Sequence, residues 1–167
     1  MTPEQATFLA QFSLGGFENE MKTTKRVIAA VPEDKADFRS GGEPSRSAKD
    51  LVWHLVLGDE WFFKSFLAGS FVWEGETIPG NGTIAEAVEY YEKKLPPLID
   101  QVKALPPEKW AAPVDFFGMF KWPMAAYCTF LNNHSIHHRG QLSAYLRPMG
   151  AKVPSIYGGS ADEPMAM

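Results

Sequence analysis

Three of the four histidines in this chain fall within five positions, His134, His137 and His138, in the run "NNHSIHHRGQLSAYLR". The fourth, His54, lies about eighty residues upstream in "DLVWHLVLGDEW". Imidazole is a common ligand for divalent metals and titrates near neutral pH. Helical phase separates the cluster. At about 100° per residue, His134 and His138 lie about 40° apart and one turn along, on the stripe that also carries Tyr127, Phe130, Leu131, Gln141 and Tyr145. That stripe is expected to face the interior. His137 falls at its edge, and Ser135, Arg139 and Ser143 are expected to face outward. Two inward imidazoles at i,i+4 can reach one ion, and His54 from a facing helix would complete a tripod. Three neutral ligands leave a coordination position open, as catalytic sites do and closed structural sites do not. Such a site can polarise a substrate oxygen or activate water or a thiol. A buried histidine is more commonly a hydrogen-bonded core residue, so spacing alone leaves both readings open.

Gly58, one turn after His54, leaves a space that a metal, a substrate or a neighbouring helix could fill. Asp50, one turn before His54, reads either as an acceptor for an imidazole N–H or as an acid placed favourably at a helix start. Gln141 is a candidate to orient a water or satisfy a buried partner. His137 reads as a packing or interface residue and Arg139 as half of an ion pair. Trp61, Tyr127 and Tyr145 read as core before pocket lining. Cys128 sits about 120° from His134, off the histidine face.

Four helical segments position these residues. The first starts at Thr2-Pro3-Glu4-Gln5 and ends before Pro32. Gly15-Gly16 in its middle costs about 1 kcal/mol per glycine and suggests a bend or a close backbone approach. Gly140 in the last helix suggests a close helix contact for the same reason. Ser45 or Ser47 caps the second helix, which Gly69 closes. Thr83-Ile84-Ala85-Glu86 is a capping-box match heading the third, which runs to about Leu105 with a kink expected at Pro96-Pro97. The stretch "LPPEKWAAPVDFFGMFKW" reads as irregular with at most one short helical turn. The fourth helix runs from Pro123 to near Arg147-Pro148, and the tail beyond it is expected to be extended. The fold class is therefore all-α, a helical bundle, with residues 1–167 forming a single domain.

The chain of 167 residues is 45% hydrophobic with a net charge of −4 and no basic cluster, which argues against a nucleic-acid partner. One cysteine, no signal-like start and no long apolar run suggest a cytoplasmic protein with no membrane span.

The run "HSIHHRGQLSAYLRPMGAKVPSIYG", the segment "SAKDLVWHLVLGDEWFF" and the connecting "LPPEKW" together resemble the DinB (damage-inducible) superfamily of metal-binding four-helix bundles. The resemblance covers essentially the whole chain. It implies one or more long crossover connections, frequent assembly as a homodimer, and a metal triad on His54, His134 and His138 holding a divalent ion such as nickel or zinc. Related members include thiol-using maleylpyruvate isomerase-like proteins and bacillithiol S-transferases, so an external low-molecular-weight thiol is an implied cofactor. Two functions fit. One is a metal-dependent transferase, isomerase or hydrolase acting on a small electrophile. The other is a non-enzymatic metal-binding stress or structural protein.

Overall fold

A computed structural model describes residues 1–165. Helix α1 spans Pro3–Ala29, α2 Ala48–Ala68, α3 Ile84–Lys103, α4 Pro107–Ala111 and α5 Met124–Leu146. Three starts follow from local chemistry. Thr2 with Gln5, Ser47 with Asp50, and Thr83 with Glu86 each form a capping box, in which the cap hydroxyl and the third side chain satisfy otherwise unpaired N–H groups. Ser47 is thus the cap of α2, and Asp50 is tied to that cap and to Arg39, away from any imidazole. Gly69 ends α2 in the left-handed conformation. Helix α3 continues through Pro96-Pro97 to Lys103.

The long helices form a square in which α1 packs on α3 and α5, and α2 packs on α3 and α5. Helices α1 and α2 are diagonal, so residues 30–47 cross the bundle end; α3 and α5 are also diagonal, joined through residues 104–123. One apolar core, with Phe17, Trp53, Phe63, Phe66, Tyr91 and Trp110 among its largest members, fills the square.

The segment before α5 differs from the sequence expectation. Pro113–Phe116 (β1) and Phe120–Pro123 (β2) form an antiparallel hairpin with Phe116 opposite Phe120. Phe117 and Gly118 both take positive φ at the turn, as primed hairpin turns require. Val114 and Phe116 alternate inward, and the Tyr127 hydroxyl of α5 donates to the Val114 carbonyl at 2.7 Å. Strands of four residues, read through a nearly continuous aromatic run, show too little alternation to be recognised.

The glycine expectations also change. Space around Gly15 and Gly140 is open, and the nearest atom to a side chain at Gly16 would be Asn132 Nδ2 at 3.8 Å, so no backbone crosses closely at any of them. Residues 151–165 carry neither helix nor strand, and the pairs Arg26–Glu163 and Arg147–Asp162 tie them to the bundle. No helix among the described residues is long and apolar enough to cross a membrane.

Candidate metal centre

Helices α2 and α5 run side by side and bring His54, His134 and His138 together. One ring nitrogen from each lies within 4.8 Å of the others. Ring centroids are 4.5 Å apart for His54–His138 and His134–His138, and 5.3 Å for His54–His134. His137 is exposed beside His138 and stays outside the cluster. The space beside Gly58 is filled by the His134 ring. A methyl group on Gly58 would sit 2.6 Å from His134 Cε1.

The buried face of α5 is not centred on the histidines. It runs through Cys128, Leu131, Ser135, Arg139, Leu142 and Leu146, about 100° further round. Ser135 and Arg139, expected outside, are each 1% exposed. Both are paired: Ser135 Oγ donates to Asp59, and Arg139 donates to Glu20 of α1 and to the Tyr157 hydroxyl. Polar side chains tolerate burial when partnered, and apolar periodicity cannot register such partners. The histidines consequently sit on the flank of α5 that meets α2, half-buried. Cys128 lies in the core, where burial pushes its thiol up, away from the site.

Each imidazole has an outer oxygen facing it. His54 Nδ1 donates to Glu76 Oε1, and His138 Nδ1 donates to Gln141 Oε1 at 2.8 Å. His134 Nδ1 faces Asp59 Oδ1 at 4.0 Å; both atoms are buried without a hydrogen-bond partner among the described residues. Asp59 Oδ2 accepts from the Tyr91 and Ser135 hydroxyls at 3.0 and 3.1 Å. Glu76 belongs to the loop between α2 and α3, which two α2 indoles hold at either end. Trp61 Nε1 donates to the Val72 carbonyl and Trp53 Nε1 to the Gly82 carbonyl. His54 lies between the two tryptophans, so the middle of the loop falls across it. On the far side, Phe62 contacts His134 and Phe130, and Phe130 contacts Phe116 of the hairpin. Tyr145 is half-buried, with its hydroxyl donating to the Arg46 carbonyl at 3.3 Å.

With both Nδ1 atoms committed as donors to outer oxygens, His54 Nε2 and His138 Nε2 point at each other 3.1 Å apart. Burial, followed by the neighbouring imidazoles and Arg46, lowers His134 to about 3. Burial lowers His138 to about 4, although its bond to Gln141 opposes the shift. Burial works against ionising Glu76, but the hydrogen bond to His54 and the charges of His54, Arg46 and His138 outweigh it and hold the carboxyl below its usual range. Burial raises Asp59 to about 8 against the two hydroxyls that donate to it. Two Nε2 atoms converging at 3.1 Å, and an orphaned Nδ1 beside an orphaned Asp59 oxygen, suit a cation at the centre. A ring shift of about 1 Å would then close the His134–Asp59 hydrogen bond.

The same shifts predict a stability profile for the metal-free protein. The unfolded histidines protonate near pH 6.5 and the folded ones only near 4 and 3, so their contribution is lost as pH falls from about 6.5. Asp59 acts oppositely. Its contribution is full below about 3.8 and is lost as pH rises through about 8. Two histidines outweigh one aspartate below pH 6.5, and the aspartate acts alone above it. Urea denaturation of chelator-treated protein should therefore show maximal stability near pH 6.5. A profile that only falls from pH 4 to 8 would mean that the imidazoles are freely solvated and Asp59 alone is shifted.

Sequence phase located the three histidines but not Glu76 or Asp59. Asp59 carried a usable signal, an acid inside the apolar run "HLVLGDEWFF"; Glu76, in a loop, carried none.

Comparison with known proteins agrees with this architecture. The chain is 21% identical to a DinB-like protein of Bacillus cereus ATCC 10987, with a TM-score of 0.72 over 87% of this chain and 95% of that one. It is 23% identical to the DinB-like protein YjoA of Bacillus subtilis, with a TM-score of 0.68 over 86% and 96%. It is also 38% identical over 50 residues to the uncharacterized protein YrdA of Bacillus subtilis, a match spanning 30% of this chain and 29% of that protein's length. A family model, that of the DinB family, matches residues 10–165, and with that span nearly the whole bundle and all three clustered imidazoles are included: the chain belongs to the DinB family.

Proposed function

We propose that this protein is a metal-dependent enzyme in which His54, His134 and His138 hold a divalent ion, nickel or zinc, for chemistry on a small electrophile with water or a low-molecular-weight thiol as nucleophile. The observation that carries this reading is the 3.1 Å approach of two Nε2 atoms whose rings are each fixed from behind. A bound ion would supply Lewis acidity at the vacant side of the tripod. The chain's own residues do the rest. Glu76 and Gln141 fix the tautomers of His54 and His138, and Asp59 stands ready to fix that of His134. The hairpin, Phe130 and Phe62 form an apolar flank beside His134. Imidazole donors suit zinc, nickel, iron and copper alike.

Metal analysis of the purified protein should find about one equivalent of ion. Screening of the loaded protein against thiols and electrophiles should find turnover that is lost in His134→Ala. Tight metal binding with no turnover against any thiol would instead favour a site that only stabilises the fold.

We further propose a homodimer formed through α1. Phe8 and Phe12 are 71% and 74% exposed and stack on each other at 6.3 Å. Gly15 continues the same stripe, and with Gly16 it leaves a hollow that nothing in the chain fills. A ridge and a hollow on one helix are complementary under a two-fold axis, which makes a second copy the fitting occupant. Light scattering should give about twice the 18.6 kDa chain mass, and Phe12→Asp should return it to the monomer value. A monomeric wild type would refute the dimer.

A further inference from the structure

Of the five arginines in the chain, four are paired: Arg26 with Glu163, Arg39 with Glu43 and Asp50, Arg139 with Glu20 and Arg147 with Asp162. Arg46 is exposed and has no acidic partner within ion-pair distance among the described residues. Its backbone is nevertheless fixed. It directly precedes Ser47, the cap of α2, and its carbonyl accepts from the Tyr145 hydroxyl of α5 at 3.3 Å. Tyr145 lies two turns beyond His138 on the same stripe of α5, and His54 lies two turns into α2. The Arg46 backbone therefore lies at the His138 end of the seam between α2 and α5, away from the aromatic flank at His134, within reach of the tripod for an extended arginine side chain.

We infer that Arg46 binds the anionic end of the small molecule that meets the tripod, and that this molecule carries a carboxylate. The inference rests on the metal-centre reading above. A planar guanidinium with unused donors matches a carboxylate in two-point geometry. With one carboxylate at Glu76, the Arg46 guanidinium and a divalent ion, the site would have a positive balance that an anionic ligand would offset.

The test uses the full chain loaded with cobalt(II), whose visible bands report ligand binding without any need for turnover. Two thiols are titrated anaerobically: 3-mercaptopropionate, which carries a carboxylate, and 2-mercaptoethanol, which does not. Wild type should favour the first by about tenfold. Arg46→Ala should abolish most of that preference while leaving the affinity for 2-mercaptoethanol unchanged, and Arg46→Lys should retain part of it. Equal preference in wild type and Arg46→Ala, or no preference in wild type, overturns the assignment of Arg46 and leaves the tripod standing. Absence of cobalt bands before thiol is added overturns the metal centre, and this inference with it.

Discussion

Replacing His138 with alanine should lower affinity for zinc or nickel by about a thousandfold or more, roughly 4 kcal/mol, while leaving the metal-free fold nearly as stable as wild type. The two effects separate because of what His138 touches. Its ring is half-buried, and its hydrogen bond is to Gln141, itself at the surface. Its Nε2 meets His54 Nε2 at 3.1 Å, a part-buried contact at the edge of the bundle and not in its core. Removal opens little cavity, so the metal-free stability should change by about 1 kcal/mol or less. Loaded wild type gains about 4 kcal/mol at a thousandfold excess of ion over its dissociation constant, and the variant gains almost none at the same concentration. Competition against a chromophoric chelator measures the first quantity, and melting curves with and without metal measure the second. Unchanged affinity would place the ion elsewhere. A large loss in the metal-free protein would make His138 a core residue and remove the reason for invoking a cation.

How far the centre could be read from sequence depends on which interactions periodicity records. Helix starts were legible because capping is local: Thr2, Ser47 and Thr83 sit three residues before the side chains that complete their boxes. The i,i+4 relation of His134 and His138 is equally local. That α2 lies against α5 at this level is a tertiary fact, and so are the partners that bury two polar residues of α5. Ser135 and Arg139 looked solvent-facing because nothing in α5 announces Asp59 or Glu20. Asp50 read either as an imidazole partner or as an acid at a helix start, and its carboxylate serves the helix cap, the second of these. The partner that His54 has, Glu76, comes from a loop whose path is set by two tryptophans. A one-residue error in the centre of an amphipathic face is about 100°, enough to turn a flank into a core.

Gly58 shows the same dependence and gives the sharpest test of the geometry. By helix propensity, Gly58→Ala should stabilise α2 by about 1 kcal/mol. The structure predicts the reverse sign for function. The new methyl would lie 2.6 Å from His134 Cε1, 3.4 Å from Nε2 and 3.5 Å from Nδ1, a contact with the ring itself and not with a flexible side-chain end. Phe62 packs on the same ring, with centroids 5.6 Å apart, and limits where it can go. The imidazole must tilt away from α2, taking its donor nitrogen out of line with His54 and His138 and its Nδ1 out of line with Asp59. Affinity for zinc should fall by about a hundredfold although all three ligands and their oxygen partners remain. Gly140→Ala is the matched control. It lies on α5 with open space around it, so it should raise stability by up to about 1 kcal/mol and leave metal affinity alone. Wild-type affinity in Gly58→Ala would show that the His134 ring is free to move, and hence that the tripod is not held in place by the packing of α2 against α5.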